Sequence, residues 1–293
     1  MGILVPLLIA ACGGDDPTAA PQQSAATNTP QPPPATATRA APQPPPATAT
    51  RPAPQPPAAT ATKPAPETPS TPVPTNIPPV GDTTDSPGVA ILSPSKDDTL
   101  YETLLTQNNN GAGQWLFAGK TRNGEIRRGL IAFDIASGIP EGSTITGVSL
   151  TMTVSRTIAK ATEIGLHRVE SEWQEGSVDA FGNEGSGAGA DAQPGDPSWT
   201  HRAFDTAEWD TPGGDFAADA SATTTVDGRT AHTWASTAQL VEDVQSWLNN
   251  PDTNYGWLVL GDETKNQTTN RFNTKENEDS ESGPVLVVEY RPG

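Results

Sequence analysis

The clearest order along this chain is an alternation in which Val148, Leu150, Met152 and Val154 occupy every second position and Ser149, Thr151, Thr153 and Ser155 lie between them. Successive side chains of a strand point to opposite faces, so this run predicts a strand with one dry and one wet face. Comparable runs at 89–92, 114–118, 128–133, 163–169, 230–235, 257–260, 270–274 and 285–290 predict further strands. Short strands separated by Gly, Pro, Asn and Asp, spread over about 205 residues from Gly88 onward, predict one all-β domain, a sandwich or a barrel.

One segment departs from period two. Ser236 opens a capping box with Gln239, and Leu240, Val241, Val244, Trp247 and Leu248 follow at helical spacing until Asn249, Asn250 and Pro251 stop them. The reading is an amphipathic helix of about three turns over 236–249, laid on an end or edge of the sheets with Trp247 in the core. The stretch 181–195, rich in Gly, Ala and acids, offers little to bury and reads as a long exposed loop.

Ahead of the domain, 13–87 is dominated by Pro, Ala, Thr and Gln and has no core to bury. A unit beginning Pro30-Gln31-Pro32-Pro33-Pro34 recurs from Pro42 and, in a worn copy, from Pro54. Its apolar positions are alanines, so the repeat is compositional. Proline at this density favours an extended stalk, on the order of 200 Å in contour. The first twelve residues are apolar and end in Leu7-Leu8-Ile9-Ala10-Ala11-Cys12, with the chain's one cysteine last. This resembles the lipoprotein signal of bacteria. The resemblance implies a signal and lipobox over 1–12, acylation of Cys12, and an exported protein held on the extracellular face of the membrane by lipid.

The order Asn108-Asn109-Asn110-Gly111, Trp115-Leu116-Phe117-Ala118-Gly119, Arg127-Arg128-Gly129-Leu130-Ile131-Ala132-Phe133-Asp134, Leu166-His167-Arg168-Val169 and Trp173-Gln174-Glu175-Gly176-Ser177 resembles the DNRLRE domain family, as does the closing Pro284-Val285-Leu286-Val287-Val288-Glu289-Tyr290. The resemblance runs from about Ala90 to Tyr290. It implies a jelly-roll-like antiparallel β-sandwich related to carbohydrate-binding modules, and it implies less about activity, because fold does not fix function. Segments 194–201 and 209–216 are less typical of the family, so features particular to this chain are expected there.

The formal charge is -18, of which about 16 negative charges belong to 88–293. Such a field repels nucleic acid and anionic polysaccharide alike unless a local basic site exists, and no nucleic-acid partner is expected. The adjacent Arg127 and Arg128 sit in a predicted strand, where alternation sends them to opposite faces, and ion pairing is the expected use of both. Seven tryptophans remain to be assigned. Indole faces stack on sugar rings but also fill cores. Trp247 and Trp257 read as core, while Trp199 and Trp209, followed by Trp173, are the candidates for contact with a polysaccharide or cell-wall glycan. A structural calcium is chemically open, with Asp97, Asp98, Glu102, Asn108 to Asn110, Asp196, Asp262 and Glu263 as oxygen donors and no ligand set assigned. His167, His201 and His232 are isolated, which argues against zinc. Glu172, Glu175 and Asp179 around Trp173 are the residues a glycosidase would draw on, but no catalytic motif accompanies them. The sequence therefore points to a non-catalytic glycan-binding module on a lipid-anchored stalk. A structural or adhesive module contacting protein or wall is the alternative.

Overall fold

The fold is built around the alternating run, which forms the 14-residue strand β6 (Thr144–Thr157). Val148, Leu150, Met152 and Val154 are each 1% exposed or less, while the serines and threonines between them stay partly open. Full burial of each such side chain is worth roughly 1.5–3 kcal/mol. A computed structural model describes residues 86–293. Cys12 and the proline-rich repeats lie outside the described residues.

Before β6 come β1 (Gly88–Leu92), β2 (Pro94–Tyr101), β3 (Asn108–Asn109), β4 (Trp115–Lys120) and β5 (Ile126–Phe133), then the single turn α1 (Ile135–Gly138). After it come β7 (Thr162–Arg168), β8 (Ala190–Asp191), β9 (His201–Ala203), β10 (Ala207–Glu208), β11 (Ala222–Val226) and β12 (Ala231–Trp234). Helix α2 (Ala238–Asn249) precedes β13 (Trp257–Leu260), β14 (Asn270–Asn273) and β15 (Val285–Arg291). Eleven strands form one sheet in the order β1-β15-β6-β14-β4-β5-β13-β7-β11, with β12 on β6 and β2 on β5. The strand pairs are antiparallel, and the sheet curls into a half-barrel, giving the all-β, sandwich-like fold expected.

The curl turns at Gly119. Its φ of 111° lies in the left-handed region, and a Cβ there would come within 2.5 Å of the Thr268 carbonyl oxygen. Only glycine admits both, so β4 leaves β14 at this point and pairs with β5 through Gly119 to Arg127 and Lys120 to Ile126.

Inside the curl, the residues from β6 pack with Ile131, Phe133, Ile164, Leu166, Trp234, Trp257, Phe272 and Leu286. Here the structure departs from a simple dry and wet division. β5 and β13 are apolar at successive positions, and Leu130, Ala132 and Leu258 point away from this core into a second one with Leu100, Val169, Trp173 and Trp209. A sheet apolar on both faces needs a cover on each. The irregular segment 194–216 supplies the outer one.

Helix α2 lies where the periodicity placed it, and buries Leu240, Val244, Trp247 and Leu248. Its cap is one residue later than expected. Thr237 Oγ1 accepts from the Leu240 N–H at 3.0 Å, while Ser236 Oγ accepts from Val148 N–H on β6. Periodicity did not reveal the buried Asp243 on the same helix face. Its Oδ2 accepts from Trp257 Nε1 at 2.9 Å and from the Ser221 hydroxyl, and Oδ1 lies 3.5 Å from Arg168. One carboxylate thus ties α2 to β7, to β13 and to the start of β11. Asp243→Ala is expected to lower the free energy of unfolding by about 3 kcal/mol, because it strands a buried indole N–H and a half-buried guanidinium. Asp243→Asn, which keeps an acceptor, should cost distinctly less in the same denaturant titration.

Candidate functional site

The register of β4, β14 and β6 builds a row across three strands. Leu116, Phe272 and Val154 pair across the sheet and face the core, so Phe117, Arg271 and Ser155 beside them fall on the other face, and a shift of register between Arg271 and Phe272 sets the exposed Arg156 opposite Arg271. Two arginines therefore stand side by side on adjacent strands, an arrangement that costs stability unless something negative offsets it. Arg271 is held flat. Its guanidinium lies 4.1 Å from the Trp115 ring centroid, its Nε donates to Ser155 Oγ at 3.0 Å, and burial together with Arg156 and Arg229 pulls its pKa down.

The row forms part of the wall of a 410 Å³ cleft, which also takes in Arg122, Arg127 and Ile158. Its far side is the stretch read from sequence as an exposed loop. That reading needs correction. Residues Glu184–Ser186 form a 3-10 turn, Glu184 is buried with Oε2 accepting from Gln114 N–H at 2.8 Å, and β8 pairs with β3. The glycines that suggested looseness instead allow close approach, since a Cβ at Gly187 would meet the Phe117 ring at 3.2 Å. Arg127 Nε donates to the Gly187 carbonyl at 2.7 Å, and Arg156 Nη1 to that of Gly185 at 3.3 Å.

Arg127 and Arg128 do diverge as alternation predicts. Arg127 is buried against Tyr101 and pairs with Glu125, whereas Arg128 makes a two-pronged pair with Glu263 at 2.8 and 2.9 Å. Arg122, Arg156 and Arg271 make no salt bridge among the described residues. In a chain with 35 acids and 17 bases, three arginines without carboxylate partners in one cleft form the local basic site that the overall charge concealed.

The tryptophans expected to contact a glycan sit elsewhere. Trp173 is 1% and Trp209 4% exposed, both in the outer core, with their Nε1 groups donating to the Tyr255 and Ser198 carbonyls. Trp199 is half-buried against that core, with Arg128 over its ring at 5.0 Å. The expectation of free indole faces is corrected for Trp173 and Trp209, because the apolar outer face of β5 and β13 claims them. Trp115, not among those candidates, is the half-buried indole under the Arg271 guanidinium of the cleft.

The oxygen donors considered for calcium are dispersed. Asp98 accepts from Thr99 N–H, Asn109 Nδ2 and Gly176 N–H at 2.7–2.9 Å, and burial, only partly opposed by these bonds, raises its pKa to about 7. Asp196 accepts from Ser177 and Gln193, Glu102 from Ile126 N–H, and Asp262 from Thr264. Asp97 alone among those residues meets two further carboxylates, Glu175 and Glu276. Glu175 is thereby engaged away from Glu172, which lines a separate cleft of 230 Å³ with Arg202.

No family model matches this chain, and no curated protein matches it either. Trp173→Ala and Trp209→Ala are each expected to cost about 3–5 kcal/mol of stability, read as a drop in melting temperature of several degrees or more. Arg156→Gln on the exposed cleft wall should leave the melting temperature within about a degree of the parent.

Proposed function

We propose that this chain is a bacterial surface lipoprotein of the DNRLRE type whose β-sandwich binds, without cleaving, a glycan that carries acid groups. The observation that carries the reading is the pairing of Arg156 with Arg271 in the cleft, without carboxylate partners, in a strongly acidic protein. Guanidinium forks match carboxylate and sulfate groups, and Arg271 is already oriented by Trp115 and Ser155, so little rotamer freedom is lost on binding. Phe117 and the partly exposed Ile158 on the cleft wall give apolar surface for a sugar ring beside the arginines. Retention of the full chain on acidic and neutral polysaccharides tests this. Acidic chains should retain it, 0.5 M salt should release it, and Arg156→Gln with Arg271→Gln should weaken retention at least about tenfold. Equal retention on neutral glucans, or no effect of the double substitution, overturns the reading.

The lipid anchor rests on the resemblance of 1–12 to a lipoprotein signal, and among the described residues no helix is long and apolar enough to cross a membrane. Cys12→Ser should move the protein from the detergent phase to the soluble exported fraction. A second reading, adhesion to protein, is favoured by Leu104, Leu105 and Phe181, which are 97%, 96% and 88% exposed. Loss of cell-surface attachment in a Leu104→Ser, Leu105→Ser variant with unchanged glycan retention would select it.

A further inference from the structure

Outside the arginine cleft, the most unusual chemistry lies where β2, the loop after β7 and the excursion between β14 and β15 meet. Asp97, Glu175 and Glu276 each bring a carboxylate oxygen within 4.8 Å of the other two. Most of their hydrogen bonds are accounted for. Glu175 Oε1 accepts from Asp97 N–H at 2.8 Å, Asp97 Oδ2 accepts from Lys275 N–H at 3.0 Å, and the Lys275 ammonium lies 3.0 Å from Glu175 Oε2 and against Glu276 Oε1. Two oxygens remain. Asp97 Oδ1 and Glu276 Oε2 are buried and accept from no donor, and Asp97 as a residue is 0% exposed.

A buried carboxylate oxygen without a donor is costly, and two of them in one cluster indicate a missing positive partner. The nearby cations do not supply it. Lys275 is already committed to the other oxygens of Glu175 and Glu276, and Lys96 donates to the Trp173 carbonyl with its ammonium 4.2 Å from the Trp173 ring centroid. Three carboxylates against one ammonium leave a formal charge of about -2, which one divalent ion cancels. We infer that Asp97, Glu175 and Glu276 bind a hard divalent cation of the calcium class. Oxygen donors suit such an ion, two of the three carboxylates stand on irregular segments facing β2, and two unpartnered oxygens on different segments give it a first pair of ligands. The ion would join the loop carrying Glu276 to β2 and to the turn after Trp173. This site is independent of the arginine cleft, and its failure would leave the glycan reading untouched.

The test uses the full chain, stripped with a chelator and titrated with calcium chloride by calorimetry and by thermal melting. Saturable binding of one equivalent and a rise of about 5 °C or more at saturating calcium are expected, reversed by chelator. Asp97→Asn should weaken binding at least about tenfold. If that variant does not fold, Glu276→Gln, whose side chain is partly exposed, should show the same loss, and Glu281→Gln on the surface should not. Lys275→Met should bind calcium more tightly than the parent and regain with calcium the stability it loses without it. Absence of a saturable calcium effect in the parent, an effect unchanged in Glu276→Gln, or a Lys275→Met variant that calcium does not rescue would each overturn the proposal. The last result would show that the lysine is the site's own cation.

Discussion

The loops of this domain depend on carboxylates removed from water, and the Asp98 carboxylate is the centre of that arrangement. Three donors converge on it from three places in the chain: the next residue Thr99, the side chain of Asn109 and the backbone of Gly176. Asn109 in turn donates to the Pro197 carbonyl and accepts from Gly111 N–H. The approach is so close that a Cβ at Gly111 would lie 2.5 Å from the Gly176 nitrogen, and one at Gly176 would lie 2.0 Å from Asn109 Oδ1. Irregular backbone is held here by charge and hydrogen bonding in low dielectric, where each satisfied bond is strong and each lost one is expensive. The same network borders β8, through the pairing of Asn109 with Ala190, and the carboxylate triad, through the adjacent Asp97.

Much of the sheet was legible because alternation is a local signal. β6 shows it in full, and β1, β4, β5, β7, β12, β13, β14 and β15 all fall within or close to the runs read from apolar spacing. β2 was not legible. Its sequence Pro-Ser-Lys-Asp-Asp-Thr-Leu-Tyr places two acids mid-strand, and the donors that offset their burial include groups distant in sequence, Asn109 and Gly176 for Asp98 and Lys275 for Asp97. β11, with three consecutive threonines, lacks an apolar period and is defined by its pairing to β7.

The binding surface was less legible than the fold, for a physical reason. Whether an indole is exposed depends on what covers it, and the cover of Trp173 and Trp209 is an outer core of residues distant in sequence. A hint was present in the continuous apolar run of β13, Trp-Leu-Val-Leu, which leaves no wet face and so requires a second layer. The arginine cleft gave no such hint. Arg122, Arg156 and Arg271 are scattered along the chain; the shifted register of β14 on β6 sets Arg271 opposite Arg156, and the turn after β4 brings Arg122 to the same cleft.

The pairing of β1 with β15 bears on how the fold carries mechanical load. β1 is the first described strand and lies at the end of the sheet order, held to β15 by the five register pairs from Gly88 with Tyr290 to Leu92 with Leu286. Val89 and Ile91 are 61% and 72% exposed, so packing comes from one face alone, through Ala90 and Leu92, and the ladder's hydrogen bonds share the hold. Tension arriving from the preceding chain enters the fold at this strand. Pulled along its axis, the strand loads its pairs together and resists; pulled across it, the strand unzips pair by pair from Gly88. β1 is thus the first described strand that such tension loads, and its ladder to β15 stands between the preceding chain and the long strand β6 that β15 also pairs with.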